Sequence, residues 1–432
     1  MANASRREVD QALLDRYARD PLAGGDETAP DLATDVLRHA CLLGEPPDGP
    51  ERWARAGRLL AEHPELSRTD VHVAAAAGDL DALRRHLATD PDAAQREGGP
   101  QRWPPLLHLT YSRLGSGDPV GCAELLFAAG ADPDAGFLWQ GLPTPFTALA
   151  GVFGSADDAR PAHPDADRLA RALLAAGADP NDGQALYNRM FAPDDSHLTL
   201  LLDAGLGRGD GGPWHRRLPE LTDPPTDLVR QQLGWAVTHG LLARVRLLAE
   251  HGVDLVQPLS GTWLPQVLSL PPLALAWRSG RPEVATLLVE LGVPDQLDTD
   301  SRAIGRLLTG SDPGLRADEL DRLRRQYPAL VLRAAVANRT DGVRLLVGLG
   351  FDVNALGRQD LPLDQPWETA LHHAAGEGRL ALAELLLSLG ADAEIRDRRF
   401  GATPLGWARE FGRADLVARL ETHQPATDPD AR

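Results

Sequence analysis

Three places in this chain gather residues of the kind that hydrolytic, metal or phosphate chemistry uses. The first is His163-Pro-Asp-Ala-Asp167, close in sequence to Tyr187 and Asn188. An imidazole beside two carboxylates could hold a metal ion or move a proton. The spacing matches no ligand motif, and Pro164 keeps these side chains off one helical face. They read instead as a polar turn capping the helix that starts near Arg168. The second place is His372-His373 with Glu377. A zinc-protease helix needs the order His-Glu-x-x-His, which brings two imidazoles to the metal and a glutamate to its water. That order is missing here. The third, Gly207-Arg-Gly-Asp-Gly-Gly212, is rich in glycine but follows no strand, whereas a phosphate loop joins a strand to a helix. No Gly-x-Ser-x-Gly elbow and no Cys–His pairing stands out. A catalytic, metal-binding or small-ligand reading would therefore place its site in the irregular segment 155–215.

The totals point away from several functions. The 432 residues carry a formal net charge of −18, from 62 Asp and Glu against 44 basic residues, every one of them Arg. Such acidity repels phosphate backbones and argues against nucleic acid as partner. Neutral or basic protein surfaces fit better, although acidity also simply keeps a long chain in solution. Cys41 and Cys122 lie in apolar helical stretches and read as buried free thiols rather than a disulfide framework or zinc site. The first residues lack an apolar signal core. No apolar run approaches the about 20 residues that span a bilayer. The expectation is a cytoplasmic chain with no membrane contact and no cofactor. The absence of Lys beside abundant Ala, Gly, Pro and Asp suits a GC-rich, bacterial coding sequence.

The elements that would position any site recur. A second helix shows as Leu80-Asp-Ala-Leu, Cys122-Ala-Glu-Leu-Leu, Leu169-Ala-Arg-Ala-Leu-Leu, Ala243-Arg-Val-Arg-Leu-Leu, Val284-Ala-Thr-Leu-Leu, Val343-Arg-Leu-Leu and Leu382-Ala-Glu-Leu-Leu-Leu. Apolar residues three and four apart give each one buried stripe. Most end in a glycine, such as Gly130, Gly350 and Gly390, which closes a helix in the left-handed conformation. A first helix is marked by small residues. Val71 to Gly78, Leu233 to Gly240, Leu273 to Gly280 and Leu371 to Gly378 superpose without gaps. Thr403-Pro404 supplies a hydroxyl cap and a proline at the first helical position.

The clearest unit runs Thr369-Ala-Leu-His-His-Ala-Ala-Gly-Glu-Gly378, then Leu380 through Gly390-Ala-Asp392, and starts again at Thr403-Pro-Leu-Gly-Trp-Ala408. This resembles the ankyrin repeat, which opens on Thr-Pro-Leu-His, carries a double alanine and a turn glycine, and leaves on Gly-Ala-Asp. The resemblance covers about residues 70–421, with about ten units at the family period of 33 residues. It implies an all-α ankyrin-repeat solenoid of stacked helix-turn-helix units with short finger-like connectors. Residues 1–69 read as a helical capping region and 70–423 as the array. Insertions fall near 155–167 and 207–227, and 424–432 reads as a disordered tail. His372 takes the motif histidine, whose ring is expected to hydrogen-bond within the neighbouring turn.

The resemblance also implies a function without catalysis: a scaffold or adaptor that holds a protein partner on its concave face. Trp235 and Trp407 stand in the same phrase, Leu-Gly-Trp-Ala, at a variable place on the first helix that Arg333 and His373 take in other units. Trp367 and Phe400 lie on connectors, as do Trp139 and Trp263. Aromatic residues and arginine anchor interfaces. The expected recognition residues are thus Trp235, Arg333, His373 and Trp407, with Trp367 and Phe400 on the fingers. On this reading Trp407→Ala weakens partner capture and leaves melting unchanged. The tryptophans could equally cover the core of the next repeat.

Overall fold

The computed structural model describes residues 11–20, 31–43, 48–141, 144–156, 160–259, 269–357 and 366–423. Trp263 and the tail expected at 424–432 lie outside the described residues. Two compact units divide the chain, Met1–Val229 and Arg230–Arg432.

In the first unit a short helix recurs as Val71–Ala77, Pro105–Tyr111, Ala148–Phe153 and Gly183–Arg189, each packed on the next. Their partners, Leu80–Thr89, Pro119–Ala128, Ala166–Ala175 and Ser196–Asp203, stack in the same order. Asp70, Asp79, Asp118 and Asp182 start four of these helices by accepting the orphan N–H of His72 and Val73, Ala82, Gly121 and Ala185. Ala74, Ala75 and Ala76 are buried, so neighbouring first helices approach closely. Leu83, Leu126, Leu173 and Leu201 are fully buried on the second helices. Each such burial contributes about 1.5–3 kcal/mol. No hairpin could provide that environment alone. Ahead of this series, helix Leu32–Ala40 packs on both Val71–Ala77 and Pro50–Glu62.

A small sheet joins the helices. Strands β2 (Gly136–Trp139) and β3 (Pro145–Thr147) form an antiparallel finger with Phe137 opposite Phe146. Strand β1 (Ala18–Arg19) adds to its edge in parallel, with Ala18 opposite Leu138. Helix Gln11–Tyr17 leads into β1 and sets Tyr17 edge-on to Trp214, 5.0 Å between ring centroids. Two-residue bridges, Gly98 with Trp103 and Gly357 with Glu368, close other connectors in the same manner.

In the second unit the first helices Leu330–Val336, Ala370–Gly376 and Pro404–Glu410 pack in series, as do the second helices Thr340–Gly348, Leu380–Ser388 and Ala414–Glu421. One apolar cluster runs from Ala303 to Leu420. The turns between paired helices differ from those of the first unit. At Gly280, Asn338, Gly378 and Gly412 the backbone is left-handed, and the next residue is always arginine. Asn338, at φ +54°, is the one non-glycine among the four, a place its short side chain tolerates. Each arginine reaches back to a carbonyl of an earlier turn. Arg281 Nε donates to Thr238 O at 3.0 Å, Arg339 Nε to Gly280 O at 3.0 Å, Arg379 Nη1 to Ala335 O at 2.9 Å and Arg413 Nε to Gly376 O at 2.8 Å. Carbonyls at helix ends lack intrahelical donors and carry partial negative charge, so a guanidinium is well suited to bind them. Among the described residues, no helix is long and apolar enough to cross a membrane.

Candidate interaction surface

The finger between the last two repeats is built from the Gly390 exit onward. Gly390 adopts φ +91°, a conformation that strains any residue with a Cβ. Asp392 N then donates to Asn354 Oδ1 at 2.9 Å, tying this connector to the preceding one. Asp397 N donates to Ala402 O at 2.8 Å and closes the turn, while Arg398 N donates to Trp367 O at 2.9 Å. The carboxylate of Asp397 points inward. It accepts from the N–H groups of Arg399 (2.8 Å), Phe400 (2.5 Å) and Ala402 (2.9 Å), and from Trp407 Nε1 (3.1 Å). Burial would raise its pKa, but these four donors outweigh burial and hold it below the ordinary aspartate value.

His372 couples this finger to the first helix of its repeat. Its Nε2 lies 3.1 Å from Ala402 O, and its Nδ1 lies 3.2 Å from the N–H of Thr369. A carbonyl can only accept, so the proton sits on Nε2 and Nδ1 accepts from the cap residue. Burial lowers the pKa of this ring, and the neutral form is the one the two contacts require. His72 does the equivalent in the first unit, with Nε2 2.9 Å from Arg96 O.

The aromatic residues gather around Trp407. Its ring lies 5.1 Å from Trp367, 6.5 Å from Phe400 and 6.0 Å from Phe411. The guanidinium of Arg399 lies over both Trp367 (5.5 Å) and Phe400 (5.2 Å). Phe400 is 66% exposed and Phe411 54%. Two solvent-facing rings therefore stand on a buried indole.

Trp367, Phe400 and Trp407, three of the residues singled out in the sequence, thus come together. The structure corrects the expected exposure of three of the six. Trp407 is 6% exposed and Trp367 8%, because the finger folds across both indoles. His373 is 3% exposed, and its pKa is pushed down to about 3 by burial, with Arg379 adding to the shift. Phe400 alone of the finger pair faces solvent. Trp235, on helix Pro225–His239, is half-buried with its ring stacked on His239 at 3.6 Å. Arg333 is half-buried too, and burial takes its pKa down to about 10. Its charge helps depress the pKa of His239, which puts it within electrostatic reach of the Trp235 stack.

The central segment distributes its polar groups among separate partners. His163 is buried, accepts from Asp165 N at 3.0 Å through Nδ1, and has its pKa taken down to about 3 by burial and then Arg113. Asp165 pairs with Arg168 and Asp167 with Arg171. Tyr187 meets Phe191 at 5.1 Å, and Asn188 accepts from Gln184. Gly207 N donates to Asn181 Oδ1 at 2.8 Å. Among the described residues, no group of three or more His, Cys, Asp or Glu is placed to hold a metal ion. Both cysteines are free and buried, their thiol pKa values raised by burial to about 12.

Sequence reading missed Arg399, Phe411 and the turn arginines. Signals for each were present. Phe411 takes the place that Glu377 holds one repeat earlier, so an apolar residue stands where a polar one belongs. The dipeptide Gly-Arg recurs at 280, 378 and 412. Also passed over was Trp103-Pro-Pro-Leu-Leu-His108, the start of a first helix whose histidine contacts Gly98 O at 3.1 Å.

Comparison with known proteins agrees with this geometry. Residues 331–431 match the family description "Ankyrin repeats (3 copies)". A "Putative ankyrin repeat-containing protein" of Treponema pallidum (strain Nichols) is 32% identical over 142 residues, which are 33% of this chain and 37% of that protein. The match thus spans little more than a third of the relative's length.

Proposed function

Because this chain is an ankyrin-repeat protein, we propose that it is a non-catalytic scaffold or adaptor that holds a protein partner on the exposed edge of its repeats. Ankyrin repeats are in general protein-interaction modules, and stacked hairpins suit that work. Neighbours supply each unit's core, so fingers and turns are free to vary. The observation that carries the reading is the pair Phe400 and Phe411, exposed yet fixed from beneath by Trp407. A rigid aromatic ring loses little entropy on docking, which is why such residues anchor interfaces. Trp235 and Arg333 form a second candidate contact on the first-helix row.

Crosslinking of the full chain in its host, followed by mass spectrometry, tests the proposal. A defined partner should be captured by the wild type and lost, at least in part, from Phe400→Ala, Phe411→Ala or Trp235→Ala. Capture indifferent to all three would place binding elsewhere.

A further inference from the structure

The tip of the last finger, residues 396–399, carries a charge opposite to that of the chain around it. Arg396, Arg398 and Arg399 fall within four residues of a chain whose net charge is −18. All three are exposed. Many other arginines sit in ion pairs, such as Arg322 with Asp300 at 2.6 Å and Arg409 with Glu421 at 2.6 Å. Among the described residues, none of the three finger arginines has a carboxylate partner. Arg396 donates only to Gly401 O, at 2.8 Å, and Arg399 lies over Trp367 and Phe400. The aspartate between them, Asp397, is withdrawn into the turn and saturated by four N–H donors. The remaining acids of the connector stand at its entry. Asp392 is held there by Asn354, and its carboxylate accepts from Glu394 N at 2.8 Å.

From this arrangement we infer that the tip of the finger is a docking site for an acidic peptide segment, one that places carboxylates on Arg398 and Arg399 and an apolar side chain against Phe400. The chemistry favours this partner. Guanidinium groups take carboxylates in paired, planar hydrogen bonds. The exposed ring of Phe400 gives an apolar surface beside them, and that combination marks energetic centres of interfaces. A nucleic acid would meet the same arginines but would also bring a dense phosphate backbone to a strongly acidic chain. The inference rests on the adaptor reading and sharpens it, since overall acidity by itself points to a neutral or basic partner.

Fluorescence anisotropy on the full chain tests it with three labelled probes. These are a peptide of about twelve residues rich in Asp and Glu with one Phe, its counterpart with Lys in place of every acid, and a single-stranded oligonucleotide. The acidic peptide is expected to bind most tightly and to weaken as salt rises. The double variant Arg398→Glu with Arg399→Glu should lose the acidic peptide by about tenfold or more and take up the basic one. Phe400→Ser should weaken the acidic peptide with little change in salt dependence. Circular dichroism and urea unfolding confirm that the variants fold, because these side chains are exposed. The inference falls if the basic peptide or the oligonucleotide binds the wild type better, or if charge reversal leaves the acidic peptide's affinity within about twofold. It also falls, with the adaptor reading intact, if a host partner caught by the wild type is kept in full by the charge-reversed chain. A wild type that captures no partner would remove the adaptor reading itself.

Discussion

The indole Nε1 of Trp407 donates to the buried carboxylate of Asp397 across 3.1 Å, and this one contact joins a first helix to the finger in front of it. Asp397 organises the turn through three further backbone N–H groups. Trp407 supports Phe400 and Phe411 from below. The pair therefore fixes the exposed rings without either member being exposed.

Asp397→Asn should destabilise the last repeat by about 1–3 kcal/mol. An amide turns two donors toward a site that needs only acceptors, and the buried N–H groups are left unsatisfied. Hydrogen exchange across helices Pro404–Glu410 and Ala414–Glu421 should accelerate more than exchange near residue 280. Equal protection in both places would show that the turn does not depend on the carboxylate.

Trp407 and Phe400 should separate stability from binding. Removing a buried indole leaves a cavity, so Trp407→Ala should cost about 3–5 kcal/mol. This reverses the expectation drawn from sequence, in which melting was unchanged. Phe400→Ala removes an exposed ring and should stay within about 0.5 kcal/mol of the wild type. Urea unfolding midpoints of the two variants decide the matter.

Arg379→Ala should cost about 1–2 kcal/mol, because the guanidinium donates to both Ala335 O and Val336 O. Arg379→Lys should recover only part of this loss, since an ammonium on a shorter stem does not hold two N–H groups in the fixed plane from which Nη1 meets both carbonyls. The measurement is urea unfolding of the three proteins side by side.

Stability should fall as pH drops from about 6.5 toward 4. Burial takes the pKa of His108, His163 and His373 down to about 3 and that of His239 to about 4, against an ordinary value of 6.5. In that window the unfolded chain binds protons that the folded chain refuses, so stability rises with pH. Asp134, raised by burial to about 6, and Asp182, whose pKa burial also raises, work in the opposite direction and are outnumbered. At lower pH Asp70 adds a second loss. Burial opposes its ionisation, but hydrogen bonds from His72 and Val73 prevail and bring its pKa to about 2. Its contribution, about 1–2 kcal/mol after screening by solvent, is present above about pH 4 and disappears as pH falls through 2. Urea midpoints measured from pH 7 to pH 3 should decline throughout, and a flat profile above pH 4 would contradict the burial of these histidines.

The sequence alone determined the repeated hairpin, because every part of that phrase is a local instruction. Thr369 and Thr403 start helices with their hydroxyls, and Gly390 ends one in a conformation that other residues avoid. The apolar stripes at spacings of three and four name the buried face without reference to any neighbour. His372 could be read as a strut for the same reason, since it holds a fixed place in the phrase. What the phrase could not give was the fate of side chains at its variable positions. Trp235 and Trp407 occupy the same place in the same four-residue phrase, yet one is half-buried against His239 and the other covered. The difference lies in the finger that closes over Trp407, which Asp397 shapes through contacts not specified by a helical period. Likewise the pairing of β1 with β2 joins residues about 120 apart in the chain, and no local pattern announces a contact at that separation. Burial at a variable site is set by what the fold lays across it, and that is decided only in three dimensions.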